Sequence, residues 1–278
     1  MFQGCKSILS IDLTNFKSSL INNTAAMFSG CSSLESINFM NFKPSKLKDM
    51  SKMFNGCNQL QSLDIPNIDT SLVENMEYMF SDCYSLKLLS LTTFDTSKVT
   101  NMDSMFSNCS SLEFLYIYNF NTESVNRMSS MFNNCSKLYN LDILNFNTTN
   151  VKYMDSMFSG CSKLNSLDLS NFNTSSLTNM NSIFYDCSSL KRLDIPNFDT
   201  SKINDKMSVF NNCKNIKYLN LMNYVDKDIF SPISDNKDLV ICINNYSQIE
   251  KMKIIRILYK KRMYQIYVVK SLVNIILI

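Results

Sequence analysis

Apolar side chains recur along this chain in blocks of fixed spacing. In the stretch from Phe94 to Asn119, FDTSKVTNMDSMFSNCSSLEFLYIYN, the positions Val99, Met102, Met105, Phe106 and Cys109 are separated by three, three, one and three residues. That spacing places them on one side of a helix, and it predicts a short helix over residues 97–108. Leu112, Leu115 and Ile117 follow, and the step of two between the last pair is the period of a strand. Asp95–Ser97 and Asn173–Ser175 precede such blocks, with short side-chain oxygens suited to the orphan N–H groups of a helix start. Each block reads as a short helix, a tight corner and a short strand.

The corner is marked by the residue before each block's cysteine: Gly4, Gly30, Gly56, Asp82, Asn108, Asn134, Gly160, Asp186 and Asn212. These residue types tolerate positive φ, and all four glycines of the protein stand there. The cysteines themselves fall at Cys5, Cys31, Cys57, Cys83, Cys109, Cys135, Cys161, Cys187 and Cys213, each 26 residues after the last, with Cys242 off register. A phenylalanine precedes each by three residues, from Phe2 to Phe210. Nine copies of one unit therefore fill residues 1–229, the first of them truncated because Met1 already lies inside the pattern.

A period of this length is the signature of a solenoid, in which a unit that cannot bury its apolar face alone is covered by its neighbours. Nine strands stacked about 4.8 Å apart make a strand face about 40 Å long. A second ladder, Asn15, Asn41, Asn67, Asn119, Asn145, Asn171, Asn197 and Asn223 with Thr93 as the exception, is suited to binding backbone groups of successive turns. Residues 230–250, around the segment LVICI, read as a C-terminal cap, and residues 251–278 as a basic and apolar tail.

The charge distribution changes this picture at one end. The chain carries a formal charge of +3, but seven Lys or Arg and no acid lie in residues 251–278, leaving 20 basic against 24 acidic residues, a net charge of −4, over residues 1–250. The repeat body therefore lacks the basic footprint of a nucleic-acid-binding protein. The tail suits either an anionic membrane surface or terminal packing, and its apolar stretch from Tyr264, 15 residues interrupted by Lys270, is too short to span a bilayer. No N-terminal stretch reads as a signal peptide.

The chain contains no histidine, which removes Ser-His and Cys-His dyads and most zinc chemistry. No catalytic constellation stands outside the repeat, so no enzyme activity and no cofactor are expected. The array Cys31, Cys57, Cys83, Cys109, Cys135, Cys161, Cys187 and Cys213 reads as a ladder of buried free thiols. Parallel Cβ vectors in adjacent rungs do not meet the dihedral requirement of a disulfide, and no Cys-x₂-Cys cluster is present.

The solvent-facing row of the strands reads Asp12, Asn38, Asp64, Ser90, Tyr116, Asp142, Asp168, Asp194 and Asn220. The three successive aspartates at 142, 168 and 194 suit either a cation or, more simply, bonds to serines and to Arg192. The fifth unit sets Phe114, Tyr116 and Tyr118 side by side, with Leu88 on the rung before and Leu144 on the rung after, where other units mostly carry Ser, Thr, Asp or Asn. Clustered exposed aromatics suit a binding patch, and drift in a degenerate repeat accounts for them equally. The candidate binding residues are Leu88, Phe114, Tyr116, Tyr118, Asp142 and Leu144.

The segments LDLSNFNTSSLTNMNSIFYDCSSL, residues 167–190, and LTTFDTSKVTNMDSMFSNCSSL, residues 91–112, resemble the repeats of the BspA-like leucine-rich-repeat family of bacterial and protist surface proteins. Leu164, Leu167 and Leu169 follow Phe158 and Cys161 in the order of that family's strand and turn. The resemblance implies an α/β repeat solenoid, a right-handed leucine-rich-repeat superhelix with one short strand and one short helix per rung. It also implies a non-enzymatic surface or secreted protein, expected as a monomer, that binds a protein or glycan through a concave face. The alternatives are an intracellular scaffold, in line with a cytoplasmic chain rich in free thiols, and a truncated copy without independent function.

Overall fold

The computed structural model describes residues 1–65, 68–222 and 239–243, together with the backbone of two strands nearer the C-terminus. The repeat forms a parallel-strand β-solenoid of about eight turns. Its strands are β1 (Ser10–Asp12), β2 (Ser36–Asn38), β3 (Ser62–Leu63), β4 (Leu88–Ser90), β5 (Phe114–Tyr116), β6 (Ser166–Asp168), β7 (Arg192–Asp194), β8 (Tyr218–Asn220), β9 (Val240–Ile243), β10 (Gln265–Val268) and β11 (Asn274–Ile276). Within each sheet of the repeat, neighbouring strands pair in parallel through equivalent residues, as Leu89 with Leu115 and Leu193 with Leu219. Equivalent pairing follows from the period of two: the middle residue of each strand is buried while its neighbours are exposed, so a slip by one residue would expose the core row.

The strands do not form one sheet. β1 and β2 make a pair, β3 to β5 a sheet of three, and β6 to β11 a sheet of six. Residues 140–142, the strand position of the intervening rung, carry no strand. In the last sheet β9 pairs in parallel with β8, β10 in parallel with β9, and β11 antiparallel with β10. Of the cap expected over 230–250 only 239–243 is described, and Leu239, Ile241 and Ile243 are buried. The remaining residues of that segment, the tail outside β10 and β11, and the ladder positions Asn67 and Asn223 lie outside the described residues.

The helix expected over residues 97–108 is not formed, and no described residue is helical. In its place the backbone alternates between two kinds of hydrogen bond. The N–H groups of Met102, Ser104, Phe106 and Asn108 donate sideways to the carbonyls of Arg127, Ser129, Met131 and Asn133 on the next rung, at 2.7–3.0 Å. The intervening N–H groups of Met105, Ser107 and Cys109 donate back to Met102, Ser104 and Phe106 of their own rung, at 3.1–3.3 Å. Three-residue turns reproduce the spacing of three that resembled a helix face. The alternation requires left-handed residues, and two occur per rung, Ser104 at φ 55° and Asn108 at φ 61° in this one.

The corner residues 4, 30, 56, 82, 108, 134, 160, 186 and 212 all have positive φ, as their identities imply. The other left-handed row, Ala26, Lys52, Tyr78, Ser104, Ser130, Ser156, Ser182 and Ser208, has no such marker. A left-handed conformation costs an ordinary residue roughly 1–2 kcal/mol, which the sideways hydrogen bonds of the ladder offset. The Asp-Thr-Ser and Asn-Thr-Ser segments are likewise not helix starts. Asp95 Oδ1 accepts the N–H of Ser97, and Asn173 Oδ1 that of Ser175, closing local turns at the third corner of the rung.

Three side-chain columns hold the rungs together. The phenylalanines from Phe28 to Phe210 that precede the cysteines stack face to face, with ring centroids 5.3–5.8 Å apart. A second column, Phe120, Phe146, Phe172 and Phe198, stacks at 6.4–6.5 Å. The third is polar. Buried Thr96 donates to the carbonyl of Asn121 at 2.9 Å and accepts the N–H of the same residue at 2.8 Å. Thr70 with Asp95, Thr148 with Asn173 and Thr174 with Asp199 repeat this double bond, satisfying backbone groups that lie beside the core.

Candidate binding face

The thiol ladder lies wholly inside the rungs. Cys31, Cys57, Cys83, Cys109, Cys135, Cys161, Cys187 and Cys213 are free and buried. Each thiol donates to a phenylalanine carbonyl of the preceding rung, as Cys109 to Phe80 at 3.1 Å and Cys135 to Phe106 at 3.2 Å. The same carbonyl already accepts the N–H of its own rung's cysteine, Cys83 to Phe80 and Cys109 to Phe106. Cysteine thus supplies a small apolar body together with a weak donor for the carbonyl's second lone pair. Burial pushes the thiols of Cys57 and Cys161 up to about 12, and those of Cys83, Cys109 and Cys135 well above the ordinary thiol range. A neutral, enclosed thiol is a poor nucleophile and a poor metal ligand.

The asparagine ladder also faces backbone. Asn119 Nδ2 donates to the carbonyls of Thr92 and Phe94, Asn171 to those of Ile143 and Phe146, and Asn41 to that of Thr14. With the phenylalanines, threonines, cysteines and asparagines occupied by packing, the strand face is the surface on which side chains vary freely.

On that face β4 and β5 bring Leu88 opposite Phe114 and Ser90 opposite Tyr116. Alternation along the strand buries Leu89 and Leu115 and turns these neighbours outward. Tyr139, one rung on, meets Phe114 edge to face with ring centroids 5.7 Å apart. Tyr118 and Leu144 occupy the row just beyond the strand, and the side-chain amide of Asn145 donates to the carbonyl of Tyr118. All six apolar residues of this group, Leu88, Phe114, Tyr116, Tyr118, Tyr139 and Leu144, are between 39% and 53% exposed. Each therefore keeps about half its surface in water, where most large apolar side chains of the rungs are enclosed.

The patch borders the interruption at residues 140–142, where the ladder between β5 and β6 is broken. Leu115 and Leu141, the core residues on either side of that step, keep 8% and 7% of their surface exposed, against none for Leu89. Tyr139 was not among the residues expected from the sequence, because it lies one position outside the alternating strand rows. Its signal was the row itself, in which Glu35, Gln61, Lys87, Glu113, Asn165, Lys191 and Lys217 stand at the equivalent positions and Leu9 is the other apolar member.

The aspartate row beyond the patch is held locally. Asp142 Oδ1 accepts the N–H of Leu144 at 3.4 Å, and Asp168 Oδ1 that of Ser170 at 2.9 Å. Asp194 takes the guanidinium of Arg192 at 2.7 Å, and that guanidinium lies 3.9 Å from the ring centroid of Tyr218. Among the described residues no group of three or more metal-ligating side chains converges. A shallow depression runs over Ser166, Leu167, Asp168, Ser170, Arg192 and Asp194. No helix of the described residues is long and apolar enough to cross a membrane.

A second ionic cluster lies on the turn side. Arg127 Nε binds Asp103 at 2.6 Å, and Asp103 also accepts the N–H of Ser129 at 2.7 Å. Burial raises the Asp103 carboxyl, and Arg127 opposes that shift. The cluster clips adjacent rungs together and leaves no open acid for chemistry.

A leucine-rich-repeat protein of T. pallidum, TpLRR, is 22% identical over 49% of this chain and 68% of its own, with a TM-score of 0.30. TLR13, in its complex with ssRNA13, is 17% identical over 89% of this chain and 46% of its own, with a TM-score of 0.28. No curated protein matches the chain. The family model described as "Mycoplasma protein of unknown function, DUF285" matches residues 1–116 and 111–224, the whole run of rungs described above. With both matches spanning the 26-residue units end to end, the chain belongs to the DUF285 family.

Proposed function

We propose that the chain is a non-enzymatic repeat scaffold that holds a protein or glycan partner on its strand face, as an adhesin-like surface or secreted module. The observation that carries this reading is the half-exposed cluster of Leu88, Phe114, Tyr116, Tyr118, Tyr139 and Leu144, gathered on neighbouring rungs of a face whose other positions are mostly polar or charged. Aromatic anchors in a polar surround are the usual composition of a binding hot spot. The resemblance to BspA-like surface proteins supports the adhesive role. A second reading, a scaffold inside the cell, draws on the ten free cysteines, none of them paired, which suit a reducing compartment.

The test is selection of ligands on the full chain from a displayed peptide library and a glycan array, with Phe114→Ser/Tyr116→Ser as counter-target. Both positions are exposed, so the variant is expected to melt close to the parent. Ligands enriched on the parent should lose binding to the variant. Equal binding to both proteins would overturn the assignment of the face.

A further inference from the structure

The strand face is uneven in charge as well as in apolarity, and this narrows the partner. In the row of Tyr116 the rungs before the patch present Asp12, Asn38, Asp64 and Ser90, so a neutral serine adjoins the patch on that side, whereas the two rungs beyond it present the successive carboxylates Asp142 and Asp168. At roughly 4.8 Å per rung, Asp168 lies about 10 Å from Tyr116. Neither carboxylate has a cationic partner of its own: Asp142 accepts the Leu144 N–H and Asp168 the Ser170 N–H. Along the face beyond them stand Lys191, in the row of Tyr139, and Arg192, which is bound to Asp194 and seated over Tyr218. Lys87 and Glu113, adjacent in the row before the strands, oppose each other in charge.

The patch itself discriminates between polymers. Leu88 and Leu144 stand among the aromatic rings with side chains 43% and 53% exposed. A sugar set against these aliphatic groups would strip water from its hydroxyls without returning hydrogen bonds. An apolar side chain of a peptide loses nothing there and buries area on both partners.

We propose that the strand face takes a peptide segment with apolar side chains on the Leu88, Phe114, Tyr116 and Tyr139 patch, followed by lysine or arginine residues over Asp142 and Asp168. This rests on the reading that the strand face is the binding surface and adds the class and polarity of the ligand. The successive pair Asp142 and Asp168, against Ser90 and Asp64 on the opposite side, biases the direction of the segment along the solenoid, and the apolar anchors supply most of the affinity.

The experiment uses the full chain and three fluorescein-labelled synthetic peptides with one Leu- and Phe-containing core, followed by alternating glycine with Lys, Gln or Glu, read by anisotropy. The Lys peptide should bind about fivefold more tightly than the Gln peptide, the worth of two exposed ion pairs, and the Glu peptide more weakly than either. Asp142→Asn/Asp168→Asn keeps both local acceptors for the Leu144 and Ser170 N–H groups and should bring the Lys peptide to the level of the Gln peptide. Equal binding of the Lys and Gln peptides, or an advantage that survives the double Asn variant, overturns the charge assignment while leaving the face intact. Peptide binding undiminished by Phe114→Ser/Tyr116→Ser overturns the face itself. Binding of chito-oligosaccharides that is lost in that serine variant, with no peptide bound, overturns the peptide in favour of a glycan.

Discussion

The two long sides of the solenoid are built differently. On the turn side, parallel bridges link Asn23, Asp49, Asn75, Asn101, Arg127, Tyr153, Asn179 and Asp205 without interruption, and the phenylalanine and cysteine columns run beneath them. On the strand side the ladder breaks twice, and three sheets share the same solenoid. The strands are therefore not what keeps the rungs in register. Continuity is carried by the Met-Phe-x-x-Cys turns, whose N–H groups point sideways at every second residue. A strand face relieved of that task can accept Phe, Tyr or Leu in one unit and Ser in the next.

The sharpest break of this comparison exchanges one phenylalanine on each side. Phe106→Ala, on the turn side, removes a ring stacked between Phe80 and Phe132 and should cost about 3–5 kcal/mol through the cavity left behind. Phe114→Ala, on the strand side, loses the edge-to-face contact with Tyr139 and should cost only about 1 kcal/mol. Urea denaturation of the two variants measures the difference, and comparable losses would mean that the strands, not the turns, hold the rungs. A smaller effect is expected at the third corner. Thr96→Val leaves both backbone groups of Asn121 without their hydroxyl partner and should cost about 1–3 kcal/mol. Thr100→Val, where an exposed hydroxyl donates only to Glu74, should be nearly silent.

The thiols give an effect absent at neutral pH. Burial raises the folded-state pKa values of Cys83, Cys109 and Cys135, and those of Cys57 and Cys161 to about 12, whereas unfolded thiols ionise near pH 8.5. A raised value contributes stability that is intact below the unfolded pKa and is lost as pH climbs towards the folded one. Melting temperature should therefore fall from about pH 8.5 upward, and Cys109→Ala/Cys135→Ala should show a shallower fall. A thiol reagent added to the native protein should leave the eight buried cysteines of the register, Cys31 to Cys213, largely unmodified; stoichiometric labelling would contradict their enclosure. The smallest effect lies at the acid end. Hydrogen bonds from Ser97 hold the Asp95 carboxyl below its usual range, so its contribution is present at neutral pH and lost as pH falls through that lowered value. Asp95→Asn should flatten the acid limb of the stability profile slightly.

The period, the corner at each cysteine and the buried thiols were legible in the amino acids because each depends on side-chain identity repeated nine times, and the exposed residues of the fifth unit because they depart from that repetition. The missing helix was not, because a run of three-residue turns and one face of a helix share the same apolar spacing. Composition held the counter-signal: Asp95, Thr96, Ser97, Thr100, Asn101, Asp103 and Ser104 are poor helix formers that bond their own backbone. The left-handed row from Ala26 to Ser208 left no trace in residue type, since the ladder imposes that conformation from outside the residue. Tyr139 was hidden for a geometric reason: it lies one position before the strand rows, and its contact with Phe114 arises only when rungs stack.

The corner residues carry one further consequence. Asn108 Nδ2 donates to Asp82 Oδ1 at 2.8 Å and Asn134 Nδ2 to Asn108 Oδ1 at 2.9 Å, so the amides form a one-way file that starts at Asn134 and terminates on a carboxylate. The free oxygen of Asn134 then fills the space above residue 160, where a Cβ would collide with it, and residue 160 is glycine. Units that look interchangeable are in fact ordered relative to their neighbours. Recombination between the repeats can lengthen or shorten such a protein by whole units, but a reshuffled order is admitted only where the corner of each unit suits the one before it.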